Sequence, residues 1–248
     1  MKIAVVYDNE SLQRELLPAW GFACLVVTTP PAPPMAGEQA HWSGDVLFDT
    51  GGDGPRLLSN MERMGLDVGR IKSVVLSHAH GDHTGGLGAI LATNRNLTVY
   101  LLRSFPASFK AQVRTRVRVV EVHEPMELTE GIYTTGEVDS GIGEQALVVK
   151  TGQGLAVITG CAHPGIVRMV RRAKEVAGGE VYLVMGGFHL GGASKREIES
   201  IIAEFRRLGV QKVAPCHCTG NRAKQMFAAE YGDDFIKVGV GLVLEMGP

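Results

Sequence analysis

The segment Ser77 to Gly86, SHAHGDHTGG, constrains this chain more than any other stretch. It follows the apolar run KSVVL and places His78, His80, Asp82 and His83 in the spacing H-x-H-x-D-H. Three imidazoles and a carboxylate crowded together have no obvious local partners, and burying them without partners is costly. A divalent metal removes that cost, because imidazole and carboxylate are natural ligands of zinc, iron and manganese. The alternation puts His78 and His80 on one side, while Asp82 and His83 can address a second ion. The competing explanation is a chance cluster of surface histidines. The preceding strand, the spacing and the following glycines all oppose it.

Three further histidines stand in equivalent places. His163 follows GLAVIT, His189 follows VYLVM, and His217 follows QKVAP. Ligands in layered α/β proteins gather beyond the carboxyl ends of strands, so four strand ends bearing histidines predict one convergent pocket. His163 and His217 are read as metal ligands, with Asp82 also orienting the nucleophile. His189 is read as a general acid or substrate contact.

A core large enough to hold such a scaffold is available. Hydrophobic residues make up 45% of the 248 and charged residues 21%, a balance that excludes general disorder. The net charge of −1 gives no overall pull toward nucleic acid. No apolar run approaches the roughly 20 residues needed to span a bilayer, and the start, MKIAVVYDNE, has no secretory h-region. The expectation is a cytoplasmic protein that binds a small molecule and neither nucleic acid nor membrane, in an oligomeric state the sequence does not give. Its four cysteines, Cys24, Cys161, Cys216 and Cys218, form no disulfide framework. Cys24 reads as a small core hydrophobe, and Cys216 and Cys218 are expected to point away from the metal, into packing.

Apolar runs alternate with helical patterns over most of the chain. Strands are predicted at KIAVVYD, FACLVVTT, DVLFDT, KSVVLS, LTVYLL, VRVVEVH, ALVVK, GLAVIT, VYLVM and QKVAP. Helices are predicted at RLLSNMERMG, 165–176, 195–208 and 221–231, the third opened by a capping box of Ser194 with Glu197. TPPAPPMAGEQAHWSG reads as a long loop. Residues 113–119 read as a half-buried strand with a basic outer face of Arg114, Arg116 and Arg118. No linker or repeat is visible, so residues 1–248 read as one domain.

With these motifs in place, the chain resembles the metallo-β-lactamase superfamily, whose H-x-H-x-D-H loop is matched by His78, His80, Asp82 and His83. The resemblance implies an αββα sandwich, two mixed β-sheets packed face to face with helices outside, and a divalent transition metal, one or two ions, of which zinc is the first expectation. LFDTGG resembles the family's early strand and turn, and implies that Asp49 orients a histidine ligand from behind. PCHCTG resembles the last ligand motif and assigns His217 to metal. GEQALVVKTGQGLAVITGCAHPGI, GGFHL and HCTG together resemble a branch called 7,8-dihydropterin-6-yl-methyl-4-(β-D-ribofuranosyl)aminobenzene 5′-phosphate synthases or metal-dependent hydrolases.

The chain departs from the superfamily pattern at two points. SGIGEQALVV stands where a G-H-T-P-G ligand loop is expected, and Cys161 stands where an aspartate bridges both metals. Either Cys161 replaces that carboxylate as a thiolate and His163 makes up for the missing histidine, or Cys161 fills space and His163 alone completes the site. Glu144 is a further possible carboxylate, although GEQALV also reads as a strand entry. Asp8 and Asn9 are placed at the rim, with Asn9 and Thr219 as substrate contacts. Helices opening after Pro164 and after Thr219 offer free N–H groups suited to phosphate. Three functions fit: a hydrolase of a phosphorylated or ester-type small molecule, a transferase joining a dihydropterin diphosphate to an aminobenzene riboside phosphate, and a non-catalytic metal sensor.

Overall fold

The computed structural model describes residues 1–28 and 44–247. The proline-rich segment 29–43, expected as a long loop, lies outside the described residues. The first sheet grows from β1 (Lys2–Tyr7), β2 (Ala23–Val27) and β3 (Asp45–Phe48), then α1 (Gly54–Arg63) and β4 (Ile71–Val75). The short α2 (Gly81–Thr84), α3 (Leu87–Thr93), β5 (Thr98–Leu102), α4 (Ala107–Arg114) and β6 (Arg118–Val122) follow. The second sheet uses β7 (Met126–Thr129), β8 (Ile132–Thr134), β9 (Leu147–Thr151) and β10 (Gly154–Thr159). It continues through α5 (Ile166–Ala177), β11 (Val181–Gly187), α6 (Lys195–Arg207), β12 (Lys212–Cys216) and α7 (Asn221–Tyr231), and β13 (Val243–Glu245) then returns to the first sheet.

The strand orders are β13-β1-β2-β3-β4-β5-β6 and β12-β11-β10-β9-β8-β7. Both sheets are mixed: β3, β4, β5 and β6 run parallel, as do β10, β11 and β12, while the other neighbours are antiparallel. The near-continuous apolar runs of the sequence follow from this, because strands covered on both faces bury every side chain. Val74 of β4 packs outward with Leu57 and Met61 of α1. Its neighbour Val75 points inward, into a cluster with Ile158 of β10 and Met185 of β11. On the far side, Val157 meets Met169 of α5 and Phe205 of α6. Helix, sheet, sheet and helix therefore stack as the expected four layers. Each fully buried aliphatic side chain contributes about 1.5–3 kcal/mol.

The long helices match their sequence signals, and the capping box is present: Ser194 Oγ accepts from Glu197 N at 3.3 Å while Glu197 Oε2 accepts from Ser194 N at 2.8 Å. One expectation fails. Residues 113–117 are not strand, because α4 runs through Arg114 and turns into β6 at Arg118. Val113 is buried and Phe109, four residues earlier, packs on the same core, a helical rather than alternating spacing. Arg114 and Lys110 both pair with Glu121 of β6.

The parallel pairings β3–β4 and β10–β11–β12 bring the carboxyl ends of these strands to one edge of the sandwich. Gly160, just after β10, lets the two sheets meet there. A β carbon at 160 would lie 2.1 Å from Ser77 Oγ and 2.9 Å from Asp49 Oδ2.

Candidate metal centre

The non-glycine residues with left-handed φ among those described are Asp49 (58°), Ala162 (61°), His189 (54°) and His217 (48°). They follow β3, β10, β11 and β12, all on the edge just described. Such conformations are costly for residues with a Cβ and persist where the surrounding structure enforces them.

At that edge four imidazoles are tied from behind. His83 Nδ1 lies 2.7 Å from Asp49 Oδ2, and Asp49 also accepts from Ser77 N and Ser77 Oγ, each at 2.7 Å. With its own proton given to Asp49, Ser77 Oγ accepts from His78 Nδ1 at 2.8 Å. His163 Nδ1 reaches Glu144 Oε2 at 2.9 Å, and His217 Nδ1 reaches Asn9 Oδ1 at 3.1 Å. These acceptors assign the proton to Nδ1 in each ring and leave the Nε2 lone pair facing the centre.

Those ring nitrogens converge on one another and on Cys161. His78 Nε2 is buried and has no hydrogen-bond partner among the described residues. His83 Nε2 and His217 Nε2 stand 3.2 Å apart, and Cys161 Sγ is 3.3 Å from His83 Nε2. Asp82 Oδ2 is 3.4 Å from His217 Nε2 and 3.7 Å from His83 Nε2. The ligand atoms of His78, His163 and Cys161 lie within 4.8 Å of one another, and so do those of His83, His217 and Cys161. His80 is exposed and borders the first set, its ring 4.6 Å from that of His78 and 4.9 Å from that of His163. Two donor sets thus share one sulfur. Opposed lone pairs and an orphaned buried nitrogen are what a cation would satisfy, so the residues present fit a metal.

Electrostatics agrees. Burial and the neighbouring His83 push His78 down to about 2, which keeps it neutral. The hydrogen bond with His217 holds Asp82 well below the usual carboxylate range despite partial burial. Burial works against the His83 imidazolium, yet Asp49, Asp82 and Glu144 together raise its pKa. Burial works against Glu144 ionising, but His163, His78 and the backbone N–H groups outweigh it and bring Glu144 to about 2.

Several residues hold other posts than those expected. Glu144 is fully buried and directs no free oxygen to a metal: Oε1 accepts from Cys161 N (2.8 Å) and Ala162 N (2.7 Å), and Oε2 from His163 N (2.9 Å) and His163 Nδ1. It fixes the Cys-Ala-His turn, including the left-handed Ala162. A glutamate at the head of an apolar strand, where the resemblance lacked a histidine, was the signal for it. Asn9 is not a free rim amide, since it grips His217 through both Nδ1 and the carbonyl, the latter at 3.1 Å. Asp8 is fully buried, so it does not reach the rim. Thr219 is buried too, its hydroxyl donating to Cys216 O at 2.7 Å and accepting from Phe188 N at 3.1 Å, which leaves nothing for a substrate. Cys24 and Cys216 lie in the inter-sheet core, but Cys218 faces Cys161 and His189 rather than packing away. His189 is exposed, with its ring 4.4 Å from that of His163. Trp20, which the sequence did not single out, places its ring 5.0 Å from that of His217 and is 63% exposed.

The family model of the metallo-beta-lactamase superfamily matches residues 43–168, which include the H-x-H-x-D-H loop, Asp49, Cys161 and His163. This chain belongs to the metallo-β-lactamase superfamily. It is 30% identical over 249 residues to the 7,8-dihydropterin-6-methyl-4-(β-D-ribofuranosyl)-aminobenzene-5′-phosphate synthase of Methanocaldococcus jannaschii, covering 81% of this chain and 84% of that one. It superposes on Tm1679, a metal-dependent hydrolase of the β-lactamase superfamily, with a TM-score of 0.81, 31% identity and full coverage of both chains. Human tRNase Z, short form, shares the fold at a TM-score of 0.63 and 12% identity. Among the described residues no helix is long and apolar enough to cross a membrane.

Proposed function

We propose that this superfamily member is a metal-dependent hydrolase of a phosphorylated or ester-type small molecule. The observation that carries the reading is the set of four Nδ1-anchored imidazoles whose Nε2 atoms surround Cys161 Sγ beside the ionised Asp82. His78, His80 and His163 would hold one divalent ion, and Asp82, His83 and His217 would hold the other. Cys161, whose thiol is held protonated by Cys218 and burial when no cation is near, would serve both as a ligand once deprotonated, and Asp49, Glu144 and Asn9 aim the rings. A divalent ion in such a site supplies Lewis-acid polarisation of the electrophile and lowers the pKa of water.

The protein's own groups do the rest. Asp82, kept ionised by His217, accepts a hydrogen bond from the attacking water and fixes its direction. Burial and the nearby His163 lower the pKa of His189, so it meets the substrate as a neutral imidazole rather than as a strong general acid. A groove lined by His189, Leu190, Ala193 and Ile201 leads to that ring. The exposed Trp20 indole offers an apolar face beside His217. The N-termini of α5 and α7, neither with a side-chain cap, open after His163 and His217 and suit a substrate phosphate.

A second reading, transfer of a dihydropterin diphosphate onto an aminobenzene riboside phosphate, is favoured by the likeness to the M. jannaschii synthase. Metal-loaded protein given bis(p-nitrophenyl) phosphate or a lactone with water alone separates the two. Turnover supports the hydrolase. Pyrophosphate release that requires both the pterin and the amine partner overturns it in favour of the transferase.

A further inference from the structure

Cys161 belongs to a third group, in which its Sγ, the Sγ of Cys218 and a ring nitrogen of His189 all lie within 4.8 Å of one another. We propose that Cys161, Cys218 and His189 form a sulfur-rich site of their own for a thiophilic d¹⁰ ion such as Cd²⁺ or Cu⁺. This site is separate from the two histidine sets but shares one atom with them.

The local backbone is shaped around the second sulfur. A β carbon on Gly187 would stand 2.3 Å from Gly160 O, 2.7 Å from Cys218 Sγ and 3.1 Å from Cys161 Cα, so glycine lets the ends of β10 and β11 approach closely with Cys218 Sγ packed over them. His189 follows at φ 54°, a left-handed conformation that turns its ring back toward them. Cys218 Sγ lies 3.7 Å from Cys161 O, hydrogen-bonds with the Cys161 thiol and with the His189 backbone, and is half-buried, whereas Cys24 and Cys216 are sealed in the core. The exposed His189 and half-buried Cys218 give an ion a path from solvent.

Two thiolates and one imidazole are a donor set that selects soft ions over magnesium, calcium or manganese. As the ion binds, each thiol gives its proton to solvent and its sulfur takes the metal, while His189 binds as the neutral ring. Filling this site withdraws Cys161 from its place between the histidine sets, so a thiophilic ion lowers the activity of the main centre without displacing the ions that its histidines hold.

The test is equilibrium dialysis of zinc-loaded protein against cadmium, followed by elemental analysis and by sulfur-to-cadmium charge-transfer absorption. Wild type is expected to take up one cadmium per chain without losing the zinc held by the histidine sets. Cys218→Ser should keep that zinc and weaken cadmium uptake by more than about 10-fold, since loss of even an outer partner of a metal ligand has that effect. Equal uptake and equal absorption in wild type and Cys218→Ser would overturn the proposal, including the case in which cadmium merely replaces zinc. A second measurement needs no variant. Cadmium should protect Cys218 of wild type from iodoacetamide, read by peptide mass, and unprotected alkylation would overturn the assignment. Zinc retained in a His80→Ala, His217→Ala variant would sink the main-centre assignment and leave this site standing, because neither histidine belongs to it.

Discussion

The two halves of the centre are built in opposite ways. The half on the first sheet packs His78, His80, Asp82 and His83 into one turn after β4, and its supporting acid, Asp49, holds side chains: the His83 ring and the Ser77 hydroxyl, with a single backbone N–H. The half on the second sheet takes Cys161, His163 and His217 from the ends of two strands, and its supporting acid, Glu144, holds mainly backbone: three successive N–H groups and one ring. A ligand cluster that is local in sequence needs its rings aimed. One assembled from separate strands needs its turn created first, and a buried carboxylate creates it. The two carboxylates are therefore not equivalent, although both sit behind a histidine.

Substitutions at the two acids sharpen or break that contrast. The largest effect is expected for Glu144→Ala, which leaves three buried N–H groups and His163 Nδ1 without an acceptor. At about 1–3 kcal/mol for each orphaned group, urea denaturation should show a loss of at least ~3 kcal/mol. Asp49→Ala orphans three donors, one of them a hydroxyl that can turn elsewhere, so its loss should be smaller. The reverse order would break the comparison.

Metal affinity comes next. Asp49→Asn and Asn9→Ala leave every ligand in place but free His83 or His217 to rotate, and each should weaken binding by about 10–100-fold in a chelator competition. Unchanged affinity would mean that the rings are held by packing alone.

The smallest effect is on pH dependence. His78 is depressed to about 2 from its ordinary 6.5, so between those values the unfolded chain holds a proton that the folded chain refuses. Glu144, at about 2 against an ordinary 4.5, contributes stability that is full above 4.5 and is lost as pH falls through its folded value. Both terms have the same sign. His83 and Asp49, both with raised pKa values, oppose them, so the thermal midpoint of metal-free protein should fall only gently from about pH 6 to about pH 4, and a midpoint that rises over that range would contradict the environments assigned to His78 and Glu144.

The same contrast explains what could be read from the sequence. The gathering of His78, His80, Asp82 and His83 at one strand end was legible because one turn supplies four donor side chains at a spacing that nothing else requires. The layered fold was legible because β10 and β11 are apolar on both faces, and the capping box marked the start of α6. Glu144 was not legible as an anchor, because its partners are backbone N–H groups and these carry no letter in a sequence. Asn9 was assigned to the rim because nothing local shows that it reaches His217, 208 positions away. Thr219 was misplaced because one step along a helical turn separates a residue facing the centre from one buried beneath it. The strand expected over 113–119 came from an alternation of arginine and valine that the helical pair Phe109 and Val113 overrides.

Two histidine sets that share Cys161 are proposed each to hold a metal ion. The most direct measurement is the metal content of purified protein by elemental analysis, with the ions located by anomalous diffraction at their absorption edges. The account predicts two ions per chain, one against His78, His80 and His163 and one against Asp82, His83 and His217, with Cys161 Sγ between them. Most of the metal should be gone from a His80→Ala, His217→Ala variant that still folds. Full metal retention in that variant, or anomalous density away from these residues, would contradict it.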